Sequence, residues 1–338
     1  MIRFALVLLV LLGSAAPAVA QSRLVSERLV SKAFSGNRIG TAAERRITVY
    51  LPADYDTGAK RYPVIYYLNG FWEDETRPFA ITDAKTQFDK AGFIVVTADF
   101  TTPAGTSWYV NSPVTGHWED FLIGELVPHI DARYRTLATR ESRGVAGDRV
   151  GGHGAIRFGM KYPQVFGAVY ALHPIGAGSG LVPMHTRPNW DRLTTAKSVD
   201  DLGDDFMSKI FTSIFQAHLP NPDRPPLYFD PVAEEVDGEL RVDSAVRRRL
   251  GDSFALESLV PAYAGNLNSL RGFKLDWGRN DANQDHVWSL QAFVRTLDEY
   301  GVSYEAEEYR GGFGDRTWGD DGRVATDLLP FFERVLIR

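Results

Sequence analysis

The stretch from Arg143 to Tyr162, RGVAGDRVGGHGAIRFGMKY, restricts the fold more than any other part of the chain. A short apolar strand from Gly144 to Ala146 enters the turn Gly147-Asp148-Arg149-Val150-Gly151, and Ala155 to Tyr162 then reads as a helix whose small residues face the strand. Glycines flanking such a turn let strand and helix pack closely around a middle residue in a strained conformation. That middle residue is Arg149.

The rest of the chain repeats the strand-to-helix rhythm. Arg23 to Pro52 alternates apolar and polar residues, as half-buried antiparallel strands do. Tyr62–Leu68, Phe93–Phe100, Val165–Leu172, Phe273–Trp277 and Tyr304–Tyr309 read as further strands, the first two as apolar runs buried on both faces. Trp118–Tyr134, Val287–Tyr300 and Ala325–Leu336 read as helices between or after them. The pattern predicts an α/β fold with a mostly parallel central sheet flanked by helices. Ile175 to Asn268 breaks the rhythm; it is rich in Pro, Gly and Asp, with helix candidates at Phe206–His218 and Ser244–Leu259. The aromatic residues Trp108, Tyr109 and Trp118 suit either a cleft or packing over the sheet edge.

Met1 to Ala20 has one early cation, Arg3, an apolar run from Phe4 to Leu12, and an Ala18-Val19-Ala20 site before Gln21. That layout predicts a cleaved secretory signal, leaving residues 21–338 as a secreted or periplasmic chain with no membrane span. The absence of cysteine excludes disulfides, thiolate catalysis, Fe–S clusters and Cys-ligated zinc. A net charge of −6 with interspersed signs, and no basic stripe, argue against a nucleic-acid partner. Arg247-Arg248-Arg249 fits a solvated helix face.

The Arg143–Tyr162 run resembles the G-x-S-x-G-G-x-G-A signature of the esterase D family of serine esterases, which includes feruloyl esterase-like and mycolyltransferase-like members; Gly151, Gly152, Gly154 and Ala155 stand in place. RYPVIYYLNG (61–70), WEDFLIGELVPHIDARYRT (118–136), KYPQVFGAVYALHP (161–174), LPNPDRPPLYFDP (219–231) and LLPFFERVL (328–336) agree with it. The resemblance implies an α/β-hydrolase fold, a cap-like insertion at about 175–268, and a small-molecule ester as substrate without a cofactor. It also implies a Ser, Asp/Glu, His triad in that chain order, and an oxyanion hole made by the backbone N–H groups of Phe71 and Val150.

Measured against that pattern the chemistry is incomplete. Asp281 fits the acid, but Arg149 stands at the nucleophile position and Phe313 at or beside the histidine position. Arginine stays protonated and phenylalanine exchanges no proton, so a Ser-His-Asp mechanism is not expected. His286, close after Asp281, is the candidate substitute base; Asp148, with its side chain expected to turn away from the pocket, and the packing residues His153 and His173 are weaker candidates. Arg149 either pairs with a carboxylate such as Asp281 and closes the site, or grips an anionic ligand, with Trp277, Trp318 and the Gly311-Gly312 loop as its wall. No His/Asp spacing matches a known metal-ligand set. The function expected is that of a degenerate exported esterase-fold protein with an anion-binding cleft; the alternative is an active carboxylesterase or acyltransferase using Asp281 and His286.

Overall fold

The computed structural model describes residues 21–80, 84–178 and 188–338, so the expected signal at 1–20 lies outside the described residues. Eight strands form one sheet: β1 Arg23–Val30, β2 Glu44–Leu51, β3 Val64–Leu68, β4 Ile94–Ala98, β5 Arg143–Asp148, β6 Ala168–Leu172, β7 Gly272–Gly278 and β8 Glu305–Tyr309. Their spatial order is β1-β2-β4-β3-β5-β6-β7-β8. β2 runs antiparallel to both β1 and β4, and every pairing from β4 to β8 is parallel. This is the mostly parallel α/β sheet that the sequence predicts.

The central strands are apolar on both faces because helices cover both. Along β3, Val64, Tyr66 and Leu68 face one core, and Ile65 and Tyr67 face the other. The first core receives α1 (Val127–Arg133) and α2 (Val150–Lys161) through residues such as Ile130 and Phe158. The second receives the closing helix, Leu329–Val335. Trp108, Tyr109 and Trp118 are almost wholly buried, so of their two expected uses packing is the one realised.

α2 begins at Val150, five residues before the expected start at Ala155. Glycine is a poor helix former, which hides this first turn from propensity. Packing demands it: a Cβ at Gly151 would lie 1.9 Å from the Leu68 carbonyl oxygen, and one at Gly154 2.5 Å from the Tyr109 ring.

Between β6 and β7 the chain forms α3 (Phe206–His218) at the expected place. The single expected helix at Ser244–Leu259 is instead two, α4 (Ser244–Phe254) and α5 (Leu256–Asn268), separated by Ala255 in an extended conformation. Asp243 caps α4 by accepting hydrogen bonds from the Ala245 and Val246 N–H groups. A hairpin of Ala233–Val236 with Glu239–Val242 was not foreseen, although Asp237-Gly238 between them is a turn signal. α6 (Gln284–Glu299) and α7 (Leu329–Val335) complete the chain. Among the described residues no helix is long and apolar enough to cross a membrane.

Candidate active site

β5 ends at Asp148 and α2 starts at Val150, leaving Arg149 alone to make the turn. Its backbone sits at φ 53° and ψ −109°, a conformation that side-chain-bearing residues rarely adopt. The strained elbow is therefore kept with an arginine on it. The Val150 N–H opens the helix and has no acceptor within it.

The guanidinium is held from two sides. Nη2 donates to Glu73 Oε1 at 2.7 Å and Nε donates to Asp148 Oδ1 at 3.2 Å. Glu73 belongs to the loop after β3, where its Oε2 also accepts the Gly70 N–H at 2.8 Å and its Oε1 lies 3.3 Å from Arg77 Nε. Burial works against the arginine's charge, but Asp148 and Glu73 hold its pKa above the ordinary value. Asp148 shows the opposite balance: its own burial raises its pKa despite the adjacent cation.

Arg149 is thus paired with carboxylates, the first of its two expected states, but its partners are Glu73 on the loop after β3 and Asp148 on β5 rather than Asp281. Asp148 is buried, with its side chain against that of Arg149. Both contacts lie on one edge of the guanidinium. Nη1 takes part in neither, and the side chain is 29% exposed.

Asp281 lies three residues beyond β7 and carries the other half of the site. Its Oδ2 accepts from His173 Nε2 at 3.0 Å and from His286 Nδ1 at 2.7 Å, and its Oδ1 accepts the Asn283 N–H at 2.8 Å. Burial opposes ionisation, yet the two histidines and the Asn283 N–H hold the carboxyl well below the usual carboxylate range. The His173 tautomer follows from its other nitrogen, which accepts the Gly278 N–H at 3.1 Å and so leaves the ring proton on Nε2. His286 is fixed as well: with Nδ1–H on Asp281, its Nε2 accepts from Asn283 Nδ2 at 3.1 Å.

Donor atoms of His173, Asp281 and His286 lie within 4.8 Å of one another. A metal-ligating histidine keeps a proton on its remote nitrogen and gives it to an acceptor. His173 does the reverse, so ligation through Nε2 would strip the ring of both protons. The donor set fits a His-Asp-His hydrogen-bonded cluster better than a metal.

Phe313 connects the two halves. Its ring centroid is 4.9 Å from that of His173 and 5.0 Å from that of His286, and the Arg149 guanidinium carbon lies 5.8 Å from it. The expected aromatic wall is otherwise misassigned. Trp277 is buried in the core on one face of the sheet, with its indole N–H on Glu308 Oε2 at 3.2 Å. Trp318 packs on Tyr67 and Phe88 on the other face. The sheet separates the two tryptophans. The side chain of Phe71, whose backbone N–H is the expected oxyanion-hole donor, has its ring tilted against Trp72 at 4.8 Å and edge-on to Phe206 at 5.5 Å. Sequence reasoning missed Glu73 as a partner of Arg149 and gave His173 a packing role.

Comparison with known proteins agrees with this fold. Residues 40–206 match the family model described as "Esterase: Putative esterase". An esterase of Mycobacterium tuberculosis (strain ATCC 25618 / H37Rv) is 37% identical over 122 residues, covering 34% of this chain and 26% of that protein. An endo-1,4-beta-xylanase/feruloyl esterase of Xylanibacter ruminicola is 30% identical over 142 residues, covering 38% of this chain and 19% of its own. The chain thus spans about a quarter or less of the length of these relatives. A solved ferulic acid esterase superposes with a TM-score of 0.65 at 21% identity, over 94% of this chain and 99% of that one.

Proposed function

Because the chain belongs to the esterase family of the α/β-hydrolase superfamily, we propose that it is an exported, non-hydrolytic member that binds a small carboxylate where its relatives place a nucleophile. One observation carries the reading: Arg149 occupies the elbow, fixed along one edge by Glu73 and Asp148, with Nη1 outside both pairs. A guanidinium has five N–H donors in a rigid fork, and the edge containing Nη1 matches the two oxygens of a carboxylate. The start of α2 adds a positive dipole end and the Val150 N–H beside it. Hydrolysis is not supported by this arrangement, because arginine supplies no oxygen nucleophile and Phe313 supplies no base.

The test pairs binding with turnover, using the chain from Gln21 onward. Acetate and ferulate should each be titrated calorimetrically into the natural protein and into Arg149→Ala; a charge-assisted contact of about 2 kcal/mol predicts a weakening of roughly thirtyfold. Hydrolysis of p-nitrophenyl acetate by the natural protein should stay at background. The Arg149→Ser, Phe313→His double variant should gain turnover if the positions correspond to a triad. Absence of carboxylate binding, or binding indifferent to Arg149, would sink the proposal.

A second reading is favoured by the 2.7 Å bond from His286 Nδ1 to Asp281, the kind of contact that orients a catalytic base. It calls for His286 Nε2 to be released from Asn283. Ester hydrolysis by the natural protein that vanishes in His286→Ala would establish that reading in place of the first.

A further inference from the structure

We infer that the Leu219–Pro231 segment and the elements facing it form a second binding site, separate from Arg149, for an uncharged oligosaccharide. The segment folds back on itself: Asn221 N–H donates to the Tyr228 carbonyl and Tyr228 N–H to the Arg224 carbonyl, both at 2.9 Å, and Asp230 N–H donates to the Leu219 carbonyl at 3.0 Å. That pinning holds Tyr228 at φ 60°, in the left-handed region that favours glycine. Strain of this sort persists only where surroundings enforce it, and it recurs at ligand clamps.

Tyr228 lines a cavity of about 280 Å³ together with Trp190, Phe229 and the Pro225-Pro226 pair. The Trp190 ring stacks on Phe215, with centroids 6.2 Å apart and planes within 17°. The far wall is the ion pair of Arg224 with Glu234, Nη2 to Oε1 at 2.5 Å. Beyond that pair a second cavity, of about 640 Å³, shares Arg224, Pro231, Ala233 and Glu234 with the first and continues to Arg241 and Asp243. The two cavities adjoin at this ion pair.

Three features select the ligand class. Aromatic and proline surfaces in the first cavity suit the apolar face of a ring. The Arg224–Glu234 pair keeps donors and acceptors beyond those it uses internally, in a planar spacing that matches adjacent hydroxyls. Cations Arg224, Arg241 and Arg249 are balanced by Asp230, Glu234 and Asp243, so a charged ligand gains no net attraction, while a purely apolar one would cover charges that now face solvent. Two adjoining cavities leave room for more than one ring. An uncharged chain of sugars meets all of these requirements.

Xylohexaose, cellohexaose and mannohexaose are suitable probes, titrated into the mature full chain with calorimetry and tryptophan fluorescence as readouts. At least one is expected to bind with Kd below about 1 mM, corresponding to roughly 4 kcal/mol. Tyr228→Ala and the exposed-site variant Arg224→Ala should each weaken binding at least about tenfold, whereas Arg149→Ala leaves it unchanged. Tyr228→Gly should lose binding yet raise the melting temperature, because it relieves the backbone strain. Failure of all three probes with the folded protein, or binding indifferent to both Tyr228 and Arg224, would overturn the inference. Tighter binding of a galacturonate hexamer would overturn the assignment to an uncharged ligand.

Discussion

Gly151→Ala is expected to destabilise the protein by about 3 kcal/mol or more, at the upper end of what overpacking costs. The new methyl would fall 1.9 Å from the Leu68 carbonyl oxygen, 2.5 Å from its carbon and 2.9 Å from the Asn69 oxygen. All three are backbone atoms at the end of β3, so no side chain can swing aside. Relief would require α2 to back away from the sheet, carrying the elbow with it. At roughly 2–4 °C per kcal/mol for a chain of this size, the melting temperature should fall by about 10 °C. Gly265→Ala is the matched control: it lies inside α5 with nothing within 4 Å of the added atom, and should be neutral or stabilising by up to about 1 kcal/mol. Equal effects at the two positions in thermal or urea unfolding would show that the contact between α2 and β3 is not what fixes the elbow.

Acid should unfold the protein through a pair of buried histidines, His153 and His218. His153 on α2 and His218 at the end of α3 are buried, with ring centroids 6.3 Å apart. Each uses Nδ1, His153 on the Ile175 carbonyl and His218 on Ser253 Oγ, both at 3.0 Å. Among the described residues neither Nε2 has a hydrogen-bond partner. Burial, helped by the nearby Arg157 cation, brings His153 down to about 3 from 6.5 and His218 well below its ordinary value. Other charges around them are Glu119, 3.9 Å from Arg157, and Lys161, which pairs with Glu119.

The folded state therefore binds fewer protons than the unfolded chain once the pH drops below 6.5. The stabilising contribution is complete above 6.5 and is lost progressively toward pH 3. With each histidine contributing about 1.4 kcal/mol per pH unit, the pair predicts a loss on the order of 4 kcal/mol between pH 6.5 and 5. Urea midpoints across that interval provide the measurement, and a His153→Gln, His218→Gln variant should show a much flatter profile. An unchanged profile in the double variant would place the acid sensitivity elsewhere.

The frame was legible in sequence for a physical reason. Strands covered on both faces must be continuously apolar, as VIYYL at 64–68 is, and the alternation of such runs with amphipathic helices leaves few arrangements other than a parallel sheet. The turn at Arg149 was legible because only glycine permits the close approach on either side of it. The site was legible position by position, at Arg149, Asp281 and His286, but not in its pairings. His173 reaches Asp281 across 108 residues of chain, and Glu73 reaches Arg149 across 76. Contacts at such separations depend on which loops share an end of the sheet, a property of topology rather than of local pattern. The start of α2 was hidden for a related reason: its glycines argue against a helix locally and are required by the strand beside them.

The elbow at Arg149 carries one more implication. An unusual backbone angle at an active site is commonly read as part of the reaction machinery, yet here the angle persists under a side chain that can take no part in nucleophilic attack. The demand comes from geometry: β5 must end and α2 must reverse direction within a single residue while touching β3. The position thus behaves as a socket that the scaffold maintains whatever is mounted in it. A change of occupant can replace reactivity with recognition in one step and leave the scaffold's assembly undisturbed.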